Sequence, residues 1–129
     1  IINQQNTYRH MKTLAEFKRA LTIGTMVHTV HHQKAMRSLE DGKIHFIDDD
    51  MGIRPVSIVQ SNSIAFKTTR TDGTTVDSWI HWPIAKNCKI DGNTMTVSDI
   101  DWRPDQGYER GHEPTIPLLT YTIIPADEA

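Results

Sequence analysis

Cysteine is nearly absent: Cys88 stands alone among 129 residues, so no internal disulfide can form and stability must come from a packed core. No long apolar run occurs either, and the stretch Ile1-Ile2-Asn3-Gln4-Gln5-Asn6 is polar, unlike a secretory signal or a membrane span. These absences point to a reducing, cytoplasmic setting and to no membrane partner. A glycine-rich phosphate loop is missing, since Gly24, Gly42 and Gly52 are isolated and read as turn residues. No serine lies in a nucleophile-elbow sequence. Cys88 alternates with Ile90 in the run Lys86-Asn87-Cys88-Lys89-Ile90, the pattern of a thiol turned inward and inert. The expectation is a chain without cofactor and without catalysis. Internal repeats are lacking too, and such a small, motif-poor chain fits a protein of mobile-element or phage type.

Metal signatures fail on spacing. His28, His31 and His32 are the densest part of the seven histidines, with His45 and His81 as possible completions. On one strand His28 and His32 point the same way but lie roughly 13 Å apart, too far to share an ion without a bend or bulge. Recognised zinc sequences need histidines four apart on a helix, or paired cysteines, and neither occurs. Asp48-Asp49-Asp50 resembles a calcium loop only at its start: Gly52 falls fifth rather than sixth, and the twelfth position is Val59 instead of a bidentate glutamate. In Asp99-Ile100-Asp101 followed by Asp105, Arg103 occupies a ligand position.

What is present is alternation. From Arg54 to Asp99 short runs of period two are broken by Asp-Gly turns, the signature of antiparallel strands with one buried face. Thr13 and Glu16 form a capping-box pair ahead of Leu14, Phe17 and Leu21 on one stripe, so a short amphipathic helix is predicted there, stopping near Gly24. Strands are expected over Thr25–His32, Ile44–Ile47, Pro55–Gln60, Ile64–Thr69, Val76–Trp82, Cys88–Ile90, Met95–Val97 and Leu118–Ile124. Gln33 to Gly42 reads as a polar connection with a helical turn, and Asp48 to Gly52 as a turn. Pro55, which has no N–H to donate, marks a strand start or an edge. Val56 and Ile58 should face Ile64 and Phe66 in a hairpin. The fold expected is mainly β: a small antiparallel, partly open barrel of SH3-like or OB-like type with one amino-terminal helix. Residues 1–10 read as an amino-terminal arm or a vector-derived leader, and 11–129 as a single β-rich domain.

Charge is segregated although the net is only -2. Residues 1–39 carry a net +5, 40–52 a net -4, 53–90 a net +3 and 91–129 a net -6. An electrically two-sided molecule suits a protein partner better than indiscriminate duplex binding. The long stretch Arg103–Pro117, rich in proline and glycine, is the expected contact loop. Trp79, Trp102, Arg103, Tyr108 and Arg110 are the contact candidates, because aromatic residues and arginine dominate interface energetics. If Trp82 joins Val76, Ser78 and Ile80 inside, Trp79 faces outward with Asp77 and His81. The function expected is thus non-enzymatic protein–protein binding. Single-stranded nucleic-acid binding through Phe66, Lys67, Arg70 and Trp79 is the alternative. A metal-assisted hydrolase built on His28, His31 and His32 ranks below it.

Overall fold

The computed structural model describes residues 10–83, 87–100 and 115–126. Among the described residues one helix, α1 (Leu14–Ala20), precedes seven strands: β1 (Met26–Arg37), β2 (Ile44–Val59), β3 (Ser63–Thr69), β4 (Thr75–His81), β5 (Cys88–Asp91), β6 (Thr94–Ile100) and β7 (Thr115–Ile124). They form one antiparallel sheet in the order β4-β3-β2-β1-β7-β6-β5.

Helix α1 begins where the sequence places it. The Thr13 hydroxyl accepts from the Glu16 N–H at 3.2 Å, and the Glu16 carboxylate accepts in return from the Thr13 N–H at 3.2 Å. Two of the first-turn donors that a helix leaves unpaired are thereby involved in the cap. Seven residues are too few for a helix to persist alone in water, so α1 depends on docking. Phe17 and Leu21 enter the core beside Val27, Val56, Ile64, Phe66, Met95, Tyr121 and Ile123.

That core explains the shape. Ile80 and Trp82 from the β4 end of the sheet and Cys88 and Ile90 from the β5 end pack against the same cluster, so the sheet curls round it. The two end strands do not pair among the described residues, so the sheet is open and curved and the partly open barrel expected is not confirmed. Helix α1 lies against β5 and places the Lys18 ammonium 5.2 Å from the Trp82 ring centre, near the end of β4. It does by packing what a closing ladder would do by hydrogen bonds.

Four expectations need correction. Strand β1 runs on through Gln33 to Arg37, where a polar connection was expected. Strand β2 passes straight through Asp48-Asp49-Asp50-Met51-Gly52, where a turn was expected. Both extensions have one cause: the strands pair with each other through two bulges. Met51 and Gly52 on β2 face Thr29 alone, and His32 and Gln33 on β1 face Asp48 alone. Gly52, at φ 76°, supplies the left-handed backbone of the first bulge.

Pro55 lies inside β2, not at its start, and marks where the strand changes partner. Val56 bonds to the β1 side, donating to Thr25 O at 2.9 Å and accepting from Gly24 N–H at 2.8 Å. In an antiparallel ladder the next residue faces the other way, so the missing N–H of Pro55 falls on the β3 side. The β2–β3 ladder ends there, at Val56 opposite Phe66. The expected Val56–Phe66 pair is present, but a bulge at Ser57 moves Ile58 opposite Ala65 and brings Val59 opposite Ile64.

Within the concave face sits one buried cation. The Arg54 guanidinium donates to Thr68 Oγ1 at 3.0 Å and Thr29 Oγ1 at 3.3 Å and stands 5.0 Å from the Phe66 ring centre. Phe66 stacks in turn on Tyr121. Burial pulls Arg54 below its ordinary value, against a smaller opposing effect of Tyr121. Burial likewise pushes the Tyr121 phenol up to about 12, with Arg54 acting the other way.

Candidate functional site

The hairpin β1–β2 outgrows its sheet. Strand β7 accompanies β1 only from Met26 to His31, and β3 joins β2 only from Val56 onward. The distal part, Lys34–Arg37 paired with Ile44–Ile47, is a two-stranded ribbon with no further strand on either side among the described residues. Its tip is a tight reversal: Ser38 N–H donates to Lys43 O, Lys43 N–H to Asp41 Oδ1, and Arg37 Nη1 to Gly42 O at 2.6 Å.

Register assigns the ribbon's two faces, since directly opposed residues share a side. One face carries Phe46, then Arg37 with Ile44. The other carries Lys34 with Ile47, then Met36 with His45. On this second face Met36 and Ile47 line an open groove of about 400 Å³ together with His45, Arg37, Ser38, Glu40 and Asp41. Leu39 at the tip is fully exposed. Of the ten large hydrophobic residues exposed among the described residues, seven lie between Met36 and Ile53: Met36, Leu39, Ile44, Phe46, Ile47, Met51 and Ile53. An isolated apolar side chain on a surface is ordinary, but a clustered set marks an interaction surface.

Histidine–aspartate contacts and the Lys34–Asp49 ion pair stitch the ribbon along its length. Asp50 Oδ1 lies 2.7 Å from His28 Nε2 and accepts from Gly52 N–H at 2.8 Å, locking the bulge. Asp49 meets Lys34 at 2.9 Å, Asp48 lies 3.4 Å from His32 Nδ1, and Asp41 lies 2.9 Å from His45 Nε2. Backbone hydrogen bonds, then the facing histidine, hold Asp50 and Asp41 below the ordinary carboxylate value. The aspartate run is the cross-strand counterpart of the histidine run, which explains how a stretch with turn composition persists as strand.

This arrangement separates the three histidines of the hydrolase alternative. His28 meets Asp50, whereas His32 puts Nε2 on Thr120 Oγ1 at 2.6 Å and Nδ1 toward Asp48; His31 is opposite Asp49 in register. Among the described residues no three histidine, cysteine or acidic side chains are grouped to hold a metal ion. Burial pushes the Cys88 thiol up, away from nucleophilic use.

The contact candidates divide. Trp79 is 48% exposed on β4, on the side carrying Asp77 and His81, while Trp82 packs on the core. Ala65 and Ile58 follow Trp79 in register across the same face. Phe66, proposed as a stacking platform for bases, is 1% exposed, and this overturns its place in the nucleic-acid set. Position 66 alternates with exposed Lys67, so it turns inward, and its ring has Tyr121 and Arg54 as partners. Lys67 and Arg70 are exposed, with Lys67 directly opposite Asp77. Trp102, Arg103, Tyr108 and Arg110 lie outside the described residues.

Sequence reasoning missed the ribbon. Its signal was the run of His28, His31, His32 and Lys34 set against Asp48, Asp49 and Asp50, at separations compatible with a hairpin closed by Gly42. Among the described residues no helix is long and apolar enough to cross a membrane. No protein-family model, curated protein or solved structure matches the chain.

Proposed function

We propose that this chain is a non-enzymatic module that binds another protein and that the β1–β2 ribbon is its principal contact, with Trp79 as a second anchor. One observation carries the reading: five large apolar side chains, Met36, Leu39, Ile44, Phe46 and Ile47, are exposed on a ribbon with no further strand on either side among the described residues, and Met51 and Ile53 continue the series along β2. An isolated two-stranded ribbon is marginal in water, so a partner that covers it recovers burial and rigidity together. The Lys34–Asp49 ion pair and the histidine–aspartate hydrogen bonds hold the ribbon extended beforehand, which reduces the ordering cost of docking.

The test uses two exposed positions, so the fold is preserved. A partner retained from the source cell by the immobilised chain is titrated calorimetrically against the wild type and against the Ile44→Lys, Phe46→Lys double variant. The expected loss is about tenfold or more in affinity, the scale of removing interface anchors. Equal affinity for a ribbon bearing two added lysines overturns the assignment.

A further inference from the structure

We propose that the outer edge of β4 pairs antiparallel with β4 of a second copy of this chain about a two-fold axis at Trp79, an inference that rests on Trp79 as the second anchor and names what that anchor meets. Strand β4 matches β3 residue for residue from Thr75 to His81 and has no strand on its other side among the described residues. Two bonds flanking this ladder fix which backbone groups look outward. Arg70 N–H donates to Thr74 O at 2.7 Å and Trp82 N–H to Asn62 O at 3.1 Å, both in the register of the ladder. Hydrogen-bonded pairs alternate in an antiparallel ladder, so Val76, Ser78 and Ile80 bond to β3, whereas Thr75, Asp77, Trp79 and His81 turn their N–H and C=O to the outer side. The same four residues carry the exposed side chains of the strand.

Edges of this kind are normally blunted by shortness, lysine, proline or a bulge. The strand at the other end of the sheet follows that rule: β5 is four residues long and carries Lys89. Strand β4 does not. It runs for seven residues without lysine, proline or bulge, and the first blocking residue, Pro83, lies beyond its end.

The side chains select both the second copy and its register. With the axis at Trp79, Asp77 lies opposite His81 of the second copy, His81 lies opposite its Asp77, and the two Trp79 side chains meet at the axis. Acid faces base twice, and every one of these pairs is of the kind that exchanges two main-chain hydrogen bonds. An axis at Asp77 would set two carboxylates against each other, and one at Ser78 would leave Trp79 opposite Asp77 and His81 opposite Thr75. Asp77 is already oriented, because the Ser57 hydroxyl donates to it at 2.8 Å. The paired stretch from Asp77 to His81 also stops short of Trp82, where Lys18 of α1 stands over the ring.

The full chain is followed by sedimentation equilibrium from about 1 µM to about 1 mM, the range in which a weak complex forms, and by amide hydrogen exchange at both ends of that range. The expected result is a dimer at the upper end, with exchange of the Asp77, Trp79 and His81 amides slowed by concentration while the ribbon amides from Ile44 to Ile47 are unchanged. Trp79→Lys, at an exposed position, should weaken the dimer about tenfold or more, and His81→Asp, which sets acid against acid on both sides of the axis, about threefold or more. A chain that stays monomeric throughout, a dimer in which those three amides exchange as fast as in the monomer, or a dimer indifferent to both variants each overturns the pairing. If the pairing fails while the Ile44→Lys, Phe46→Lys variant still loses its protein partner, the ribbon reading stands and only the occupant of the β4 edge is rejected.

Discussion

Phe66 and Phe46 lie in neighbouring sequence segments, each in a strand beside polar neighbours, yet one is 1% exposed and the other 36%. The difference is not in the strands. Around Phe66 the sheet curls until its two ends and helix α1 supply a second layer, and the ring is stacked on Tyr121. Around Phe46 the ribbon has no further strand beside it among the described residues, and over a third of the side chain stays in water. Strand pairing satisfies the backbone in both regions, but only a facing layer removes apolar side chains from water. The ribbon is therefore held by ladder bonds and ion pairs, and the curved region by burial.

The comparison breaks most sharply on truncation. Phe66→Ala should lower stability by about 3–5 kcal/mol, as expected of a deleted core aromatic. Phe46→Ala should cost clearly less, about 1 kcal/mol, since over a third of that side chain stays in water. Urea midpoints at unchanged slope measure both, and a large cost at Phe46 would show the ribbon to be part of the core. Helix α1 sharpens the contrast at a smaller scale: Thr13→Ala removes the cap of the element that closes the sheet and should cost about 1 kcal/mol.

The smallest effect separates the regions by pH. Asp50 is held below its ordinary value of 3.8 by the Gly52 N–H and then by His28. A carboxylate depressed in the folded state stabilises above its unfolded value, and that contribution is lost as pH falls through the folded one. Amide protection in the ribbon should therefore weaken as pH falls below 3.8, while the Val27 and Val56 amides change less. Asp50→Asn should lower ribbon protection near neutrality and flatten this acid dependence. Ribbon protection that is identical in the variant at every pH would remove Asp50 from the account.

Local chemistry was legible wherever neighbouring residues decide the outcome. The Thr13–Glu16 box, the turn at Asp72-Gly73 with φ 88° and the turn at Asp91-Gly92 with φ 61° follow from short-range hydrogen bonds and glycine's freedom. That Trp79 and Trp82 turn to opposite faces also follows from period two, whereas the covering of Trp82 and the exposure of Trp79 were decided by the core around them. The lengths of β1 and β2 were not legible, because Asp48-Asp49-Asp50 has the composition of a turn until His28, His32 and Lys34 lie across from it. Nor was the burial of Phe66, whose inward neighbours come from β2 and β7.

By itself the sequence determined the mainly antiparallel β character, the capped helix at Leu14–Ala20, the tight turns and the alternation of faces along unbulged strands, since these depend on dihedral preference and on contacts a few residues apart. Tertiary structure alone decided that the sheet stays open around α1 and that β1 and β2 project beyond it. It also decided which of two similar phenylalanines is covered, because burial depends on which distant segment comes to lie opposite, and alternation along one strand is the same whether or not anything does.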